Sequence, residues 1–142
     1  MNREPRIKTV MTPFPYAIDL SASIGKARAL MLEHHVHHLP VTDNNQLKGI
    51  VSDRDIKLLL GPEMGSPDPH ELTVEDAYIA DGFAVDLETP LTLVVKAMAD
   101  KHIGATLVTK QGRIAGIFTA TDACRVLAEY LEERFNPPPE VA

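Results

Sequence analysis

The chain lacks most of the residues and patterns that many functions require. Cys124 is the only cysteine among 142 residues, which leaves no partner for an intrachain disulfide and no thiol set for a zinc cluster. It reads as a small apolar helix residue rather than a nucleophile. No apolar run approaches the roughly 20 residues needed to cross a bilayer. The start Met1-Asn2-Arg3-Glu4-Pro5-Arg6 has no signal-peptide apolar region, so a cytoplasmic location without a membrane partner is expected. Basic residues are too few for nucleic acid: Lys and Arg number 14 against 20 Asp and Glu, a net charge of −6, and no basic stripe exists to track a phosphate backbone. A small anionic ligand stays allowed, because a local nest of amides binds phosphate on an acidic protein. There is no Gly-x-Ser-x-Gly elbow, no Gly-rich loop ending in Lys, and no plausible Cys/His pair. Enzyme activity is therefore not expected.

What is present is an internal duplication. With 44% hydrophobic and 24% charged residues, the composition is that of a globular chain able to bury a core. The stretch Gly49-Ile50-Val51-Ser52-Asp53-Arg54-Asp55 returns as Gly116-Ile117-Phe118-Thr119-Ala120-Thr121-Asp122, offset by 67 positions (116 − 49). The same offset carries Ala17-Ile18-Asp19-Leu20 onto Ala84-Val85-Asp86-Leu87, Met31 onto Met98, His35 onto His102 and Val41-Thr42 onto Val108-Thr109. A repeat of this length reads as two copies of a small α/β unit rather than as a solenoid.

Each copy has the same element order. Thr12-Pro13-Phe14-Pro15 forces an extended path, and Tyr16 to Ile18 reads as a strand. Ser23 to His34 has helical apolar spacing, capped by Ser21 or Ser23. Val36 to Val41 and Leu47 to Val51 form a hairpin about Asn44-Asn45, and Asp53 to Leu60 closes the unit as a helix. In the second copy, Phe83 to Val85 is a strand and Thr89 with Pro90 starts a helix striped by Leu91, Val94, Val95 and Met98. A hairpin about Gln111-Gly112 and a helix from Thr121 toward Phe135 follow. The expected class is α/β (α+β): two β-α-β-β-α units packed as one pseudo-two-fold module, because one unit alone has too little core. The boundaries read as a first domain over 5–61, a breaker-rich linker over 62–72, a second domain over 73–134 and a loose tail over 135–142.

The repeated stretch carries the chemistry. A strand that turns into a helix places Ser52 or Thr119 at the helix N-terminus, where free amides and the helix dipole favour an anion. Asp55 or Asp122 lies one turn on, able to accept bonds from two vicinal ribose hydroxyls. The alternative reading of the same residues is helix capping with a carboxylate in each first turn.

These two stretches, with Val10-Met11-Thr12-Pro13 and His38-Leu39-Pro40-Val41, resemble the CBS domain family, whose domains occur as tandem pairs called Bateman modules. The resemblance covers about residues 5 to 134. It implies a stand-alone regulatory module that takes AMP, ADP, ATP or S-adenosylmethionine as ligand, with no obligatory cofactor, and that acts on a separate target protein. It assigns ribose to Asp55 and Asp122, and phosphate to Ser52 and Thr119. The base pockets fall on Thr12, Pro13, Tyr16 and Ala17 with His38 and Pro40, and on Gly82, Phe83 and Ala84 with Ala105. The second copy departs from the pattern, with Ala80-Asp81 for the Thr-Pro pair and Thr106-Leu107 for Leu-Pro. Arg54, against Thr121 in the second copy, points to a different phosphate preference at the two sites. Tandem pairs of this family often assemble into discs, and the apolar stripe of the second unit points the same way, to a homodimer.

His34, His35, His37 and His38 form the competing constellation, since clustered imidazoles bind Zn, Ni or Cu. The cluster crosses a helix-to-strand junction, where the rings should diverge. A metal-binding or purely structural interaction module with vestigial clefts is therefore the alternative function.

Overall fold

A computed structural model describes residues 3–61 and 68–135. The chain runs α1 (Ile7–Val10), β1 (Thr12–Pro13), β2 (Ile18–Asp19), α2 (Ile24–His34), β3 (His38–Asp43), β4 (Gln46–Ser52) and α3 (Asp53–Leu60). A 3₁₀ turn (Val74–Asp76) leads to β5 (Ile79–Ala80), β6 (Ala84–Asp86), α4 (Leu91–Lys101), β7 (Ala105–Lys110), β8 (Arg113–Thr119) and α5 (Ala120–Phe135). The two β-α-β-β-α units of the sequence reading are present. Both hairpins turn where expected, on left-handed Asn44-Asn45 and Gln111-Gly112, because these residues tolerate the positive φ that a tight two-residue turn demands. Of the tail expected over 135–142, all but Phe135, the last residue of α5, lies outside the described residues, as does most of the linker.

The two four-stranded sheets are ordered β2-β3-β4-β5 and β1-β8-β7-β6. Each therefore takes its edge strand from the other half of the chain. Thr12 and Pro13 pair with Ile117 and Gly116, and Ile79 and Ala80 pair with Ile50 and Gly49. The exchange extends into the cores. Ile7 is fully buried against Val94, Met98, Val108 and Phe118 of the second unit, and Val74 against Ile18, Ile24, Leu39 and Val51 of the first. The backbone repeats it at the 67-residue offset: Ile7 N donates to Thr89 O at 2.8 Å, and Val74 N to Ala22 O at 2.8 Å.

This crossing explains the glycine that opens each repeated stretch. A Cβ on Gly49 would collide with the Ile79 carbonyl, and one on Gly116 with Met11 and with the Thr12 carbonyl at 2.9 Å. Glycine stands where the exchanged strand lies against the sheet.

Two expectations are corrected. The counterpart of Thr12-Pro13 is Ile79-Ala80, not Ala80-Asp81, since these residues hold the equivalent register on β4. Thr89 does not cap α4. Pro90 occupies the cap position without a side-chain bond, and the free Thr92 amide donates instead to Glu4 Oε1 at 2.8 Å. Hydrogen bonding from Thr92, by its side chain first and then by this amide, holds the Glu4 carboxyl below its ordinary range. In the first unit Ser23 performs the same task locally, accepting from Lys26 N at 3.0 Å.

Candidate functional site: paired interdomain clefts

Ser52 and Thr119 end β4 and β8 and begin α3 and α5. Ser52 Oγ accepts from Asp55 N at 3.1 Å and donates to Asp55 Oδ2 at 2.8 Å, and Ser52 N donates to the same oxygen at 3.1 Å. Thr119 and Asp122 repeat the arrangement: Thr119 N donates to Asp122 Oδ2 at 2.9 Å and Asp122 N to Thr119 Oγ1 at 3.2 Å. Both are reciprocal capping boxes, so the capping reading of these residues holds. It does not exhaust them, because each box employs only one carboxylate oxygen, Oδ2, for the cap.

Strand alternation settles which way the boxes face. Val51 is buried in the first core, so Ile50 and Ser52 share the opposite face of β4. A Cβ on Gly82 would come 2.9 Å from Ile50 Cγ2, which identifies that face as the one turned to the β5–β6 crossing. The β4 register slips beside Val41 and Thr42, leaving Lys48 as the extra residue of a bulge, the device by which strands re-aim a side chain. Lys48 joins Leu47, Gly49, Asp81, Phe83 and Leu107 around a cleft of about 400 Å³ that Gly82 and Ala84 also line. The cleft belongs to both halves: the first contributes β4, and the second the crossing segment, β6 and β7. The Ser52–Asp55 box stands on the same strand face as the Gly82 crossing.

Thr12 and Pro13 lie on the second sheet beside β8, while Tyr16 and Ala17 lead into the first, so one lead-in spans the opposite, pseudo-symmetric junction. Pro40 is buried at the place Leu107 holds beside the first cleft. His38 pairs with Ser52, and Ala105 with Thr119; His38 also reaches across the module, 3.6 Å from where a Cβ on Gly104 would lie. Burial, reinforced by the neighbouring His37, lowers the His38 pKa from the ordinary imidazole value, and the Asp55 carboxylate acts against that shift. Arg54 and Thr121 are both exposed on the first turns of their helices.

Tyr16 and Phe83 occupy equivalent positions, and each has one ring face covered by the last residue of the following helix. Tyr16 stacks on His34 with centroids 3.6 Å apart and planes inclined by 13°; Lys101 Nζ sits 4.6 Å from the Phe83 centroid. The histidine run is dispersed accordingly. His34 faces Tyr16, His35 closes α2 in a left-handed conformation, His37 lies 3.9 Å from Asp53, and His38 faces Gly104. Among the described residues no three His, Cys, Asp or Glu side chains group to hold a metal ion.

Leu47, Asp81 and Leu107 were missed as lining residues, although the 67-residue offset from Pro40 marks Leu107. Arg125 was missed too: its Nη1 donates to Asp122 Oδ1 at 3.1 Å, a contact that (i, i+3) helical spacing makes visible.

A pseudo-two-fold pair of βαββα units, joined by exchanged edge strands with a cleft lined by both, is the architecture of a tandem ligand-binding module. The model of the CBS domain matches residues 7–61 and 73–129, and the chain belongs to the CBS domain family as a tandem pair. It is 26% identical over 136 residues to a CBS domain-containing protein of Dictyostelium discoideum, covering 89% of this chain and 93% of that one. Some relatives are far longer: the chain spans 23% of an L-aspartate semialdehyde sulfurtransferase from Methanocaldococcus jannaschii, at 25% identity. Among solved structures, CBSX2 in complex with AMP superposes with a TM-score of 0.75 at 25% identity, over 88% of this chain and 97% of that one. The CBS domain pair of MJ0100, in complex with 5′-methylthioadenosine and S-adenosylmethionine, gives 0.77 at 23% identity, over 90% and 99%.

Proposed function

We propose that the protein is a regulatory sensor that binds an adenine nucleotide (AMP, ADP or ATP) in its interdomain clefts and passes the bound state to a separate partner protein. The observation that carries this reading is the Ser52–Asp55 box at the end of β4, the strand that also walls a cleft built by both halves. A free carboxylate oxygen, a helix N-terminus with a hydroxyl, and an aromatic ring at Phe83 meet the three parts of a nucleotide: ribose, phosphate and base. AMP in the similar CBSX2 structure supports the same ligand class. Regulation follows if ligand holds the two halves in one of two arrangements, since only differential affinity shifts an equilibrium.

The protein acts by binding rather than by chemistry, and it works as a homodimer. Much of the apolar stripe of α4 is used within its own core, where Val94 and Met98 are buried. The association surface is instead the groove of about 430 Å³ between α4 and α5, where Leu91, Val95, Val126, Leu127 and Tyr130 gather. Closed two-fold pairing is the commonest arrangement of identical chains.

Calorimetry with AMP, ADP, ATP and S-adenosylmethionine tests the sensor. Saturable binding by one of the three nucleotides, weakened about 10- to 100-fold by Asp55→Ala as a charge-assisted bond is lost, supports it, and binding of S-adenosylmethionine alone overturns the nucleotide assignment. Absence of binding by all four at millimolar concentration overturns it. Light scattering tests the dimer, and a mass of 15.6 kDa at tens of micromolar chain rejects it.

A further inference from the structure

The two capping boxes differ in one respect that the repeat does not foretell. Asp122 has both carboxylate oxygens engaged: Oδ2 by Thr119, and Oδ1 by Arg125 at 3.1 Å. It is also only 8% exposed. Asp55 uses Oδ2 in its box with Ser52, and among the described residues no donor reaches its Oδ1. The residue at the place of Arg125 in the first unit is Leu58, which turns outward and offers no hydrogen bond. The surroundings differ in the same sense. The strand that ends in the Asp55 box also walls the cleft of about 400 Å³, with Lys48 and Gly82 among its lining residues, where the offset puts Ala115 and Pro15 on the other side.

We propose that Arg125 latches the Asp122 carboxylate, so that the module carries one open nucleotide site, at Asp55, and one that opens only when the guanidinium releases the carboxylate. A vicinal diol needs both hydroxyls held by one carboxylate. At Asp55 the outer oxygen is free to receive them. At Asp122 the ribose must displace a charge-assisted bond before it binds, and the displaced guanidinium returns to water. Arg125 thus acts as a determinant of occupancy, giving two sites of unequal affinity from two nearly identical motifs. The inference rests on the nucleotide reading of the clefts and adds to it an order of filling.

The test is calorimetric titration with AMP of the whole chain and of Arg125→Leu, Asp55→Asn and the double variant. Leucine is the residue the first unit already carries at this place, and asparagine keeps an oxygen to accept the cap. The expected result for the native chain is one tight event, lost in Asp55→Asn, and a second about two- to fivefold weaker, since the Arg125 side chain is 63% exposed and water screens its pair with Asp122. In Arg125→Leu the second event tightens about two- to fivefold and the two become alike, and in the double variant one tight event returns. Two equal events in the native chain, a second event unmoved by Arg125→Leu, or a tight event that survives Asp55→Asn each overturn the latch while leaving the sensor intact. Absence of AMP, ADP, ATP and S-adenosylmethionine binding in every variant sinks the sensor reading itself, and the latch with it.

Discussion

Replacing Ile7 by alanine should destabilise the half of the molecule from which Ile7 is remote in sequence. The side chain is 0% exposed and packs on Val94, Met98, Val108 and Phe118. The change removes three carbons; at about 0.8 kcal/mol per buried methylene the transfer loss is roughly 2.4 kcal/mol. The cavity left behind raises the total to about 3–4 kcal/mol, because β7, β8 and α4 close around the site and relax little. Against a typical domain stability of about 5–15 kcal/mol, such a loss is easily read from the midpoint of a urea transition. Hydrogen exchange localises it: amides of β7 and β8 should lose protection before those of β3 and β4. Phe14→Ala is the control, since that ring is 92% exposed and its loss should stay within about 0.5 kcal/mol. A cost below about 1 kcal/mol for Ile7→Ala, or protection lost first from β3 and β4, would refute the exchange of lead-in segments between the halves.

Thr106 is fully buried and its hydroxyl has no partner among the described residues. Thr106→Val, of nearly the same shape, should therefore stabilise the protein by about 1 kcal/mol in chemical denaturation, and a loss of stability would show that the hydroxyl is satisfied in solution. Gly49→Ala should release β5, because a Cβ there meets the Ile79 carbonyl; a melting temperature unchanged from the native chain would contradict the close crossing. Burial makes the folded protein refuse a proton at His38 that the unfolded chain accepts near the ordinary value of 6.5. Stability should accordingly fall as pH drops below about 6.5, until folded His38 itself protonates. His38→Asn should flatten that slope, and an unaltered pH dependence of the urea midpoint would remove His38 as its source.

The elements and the duplication were legible in the sequence because they rest on local rules. Helical periodicity in Ile24, Ala27 and Met31, the left-handed turn residues, and a hydroxyl three residues before a carboxylate act over a few positions and need no distant partner. The separation of hydroxyl and carboxylate, and hence the capping boxes at Ser52 and Thr119, follows from helix geometry alone. What only the tertiary structure decided involves residues far apart in the chain, as where Ile50 pairs with Ile79 and Thr12 with Ile117. Two-residue strands such as β1 and β5 have no period to detect, so their pairing with the opposite half depends on where Ile7 and Val74 find apolar space. The Glu4 carboxylate replaces a local cap at Thr92 because the exchanged segment carries it there. The histidines at 34, 35, 37 and 38 disperse because the chain turns from helix to strand through left-handed His35, sending neighbours to different partners. The clefts form only when two sheets face each other across the pseudo-two-fold axis, which is why the motif residues were readable one by one, while the walls around them were set by packing.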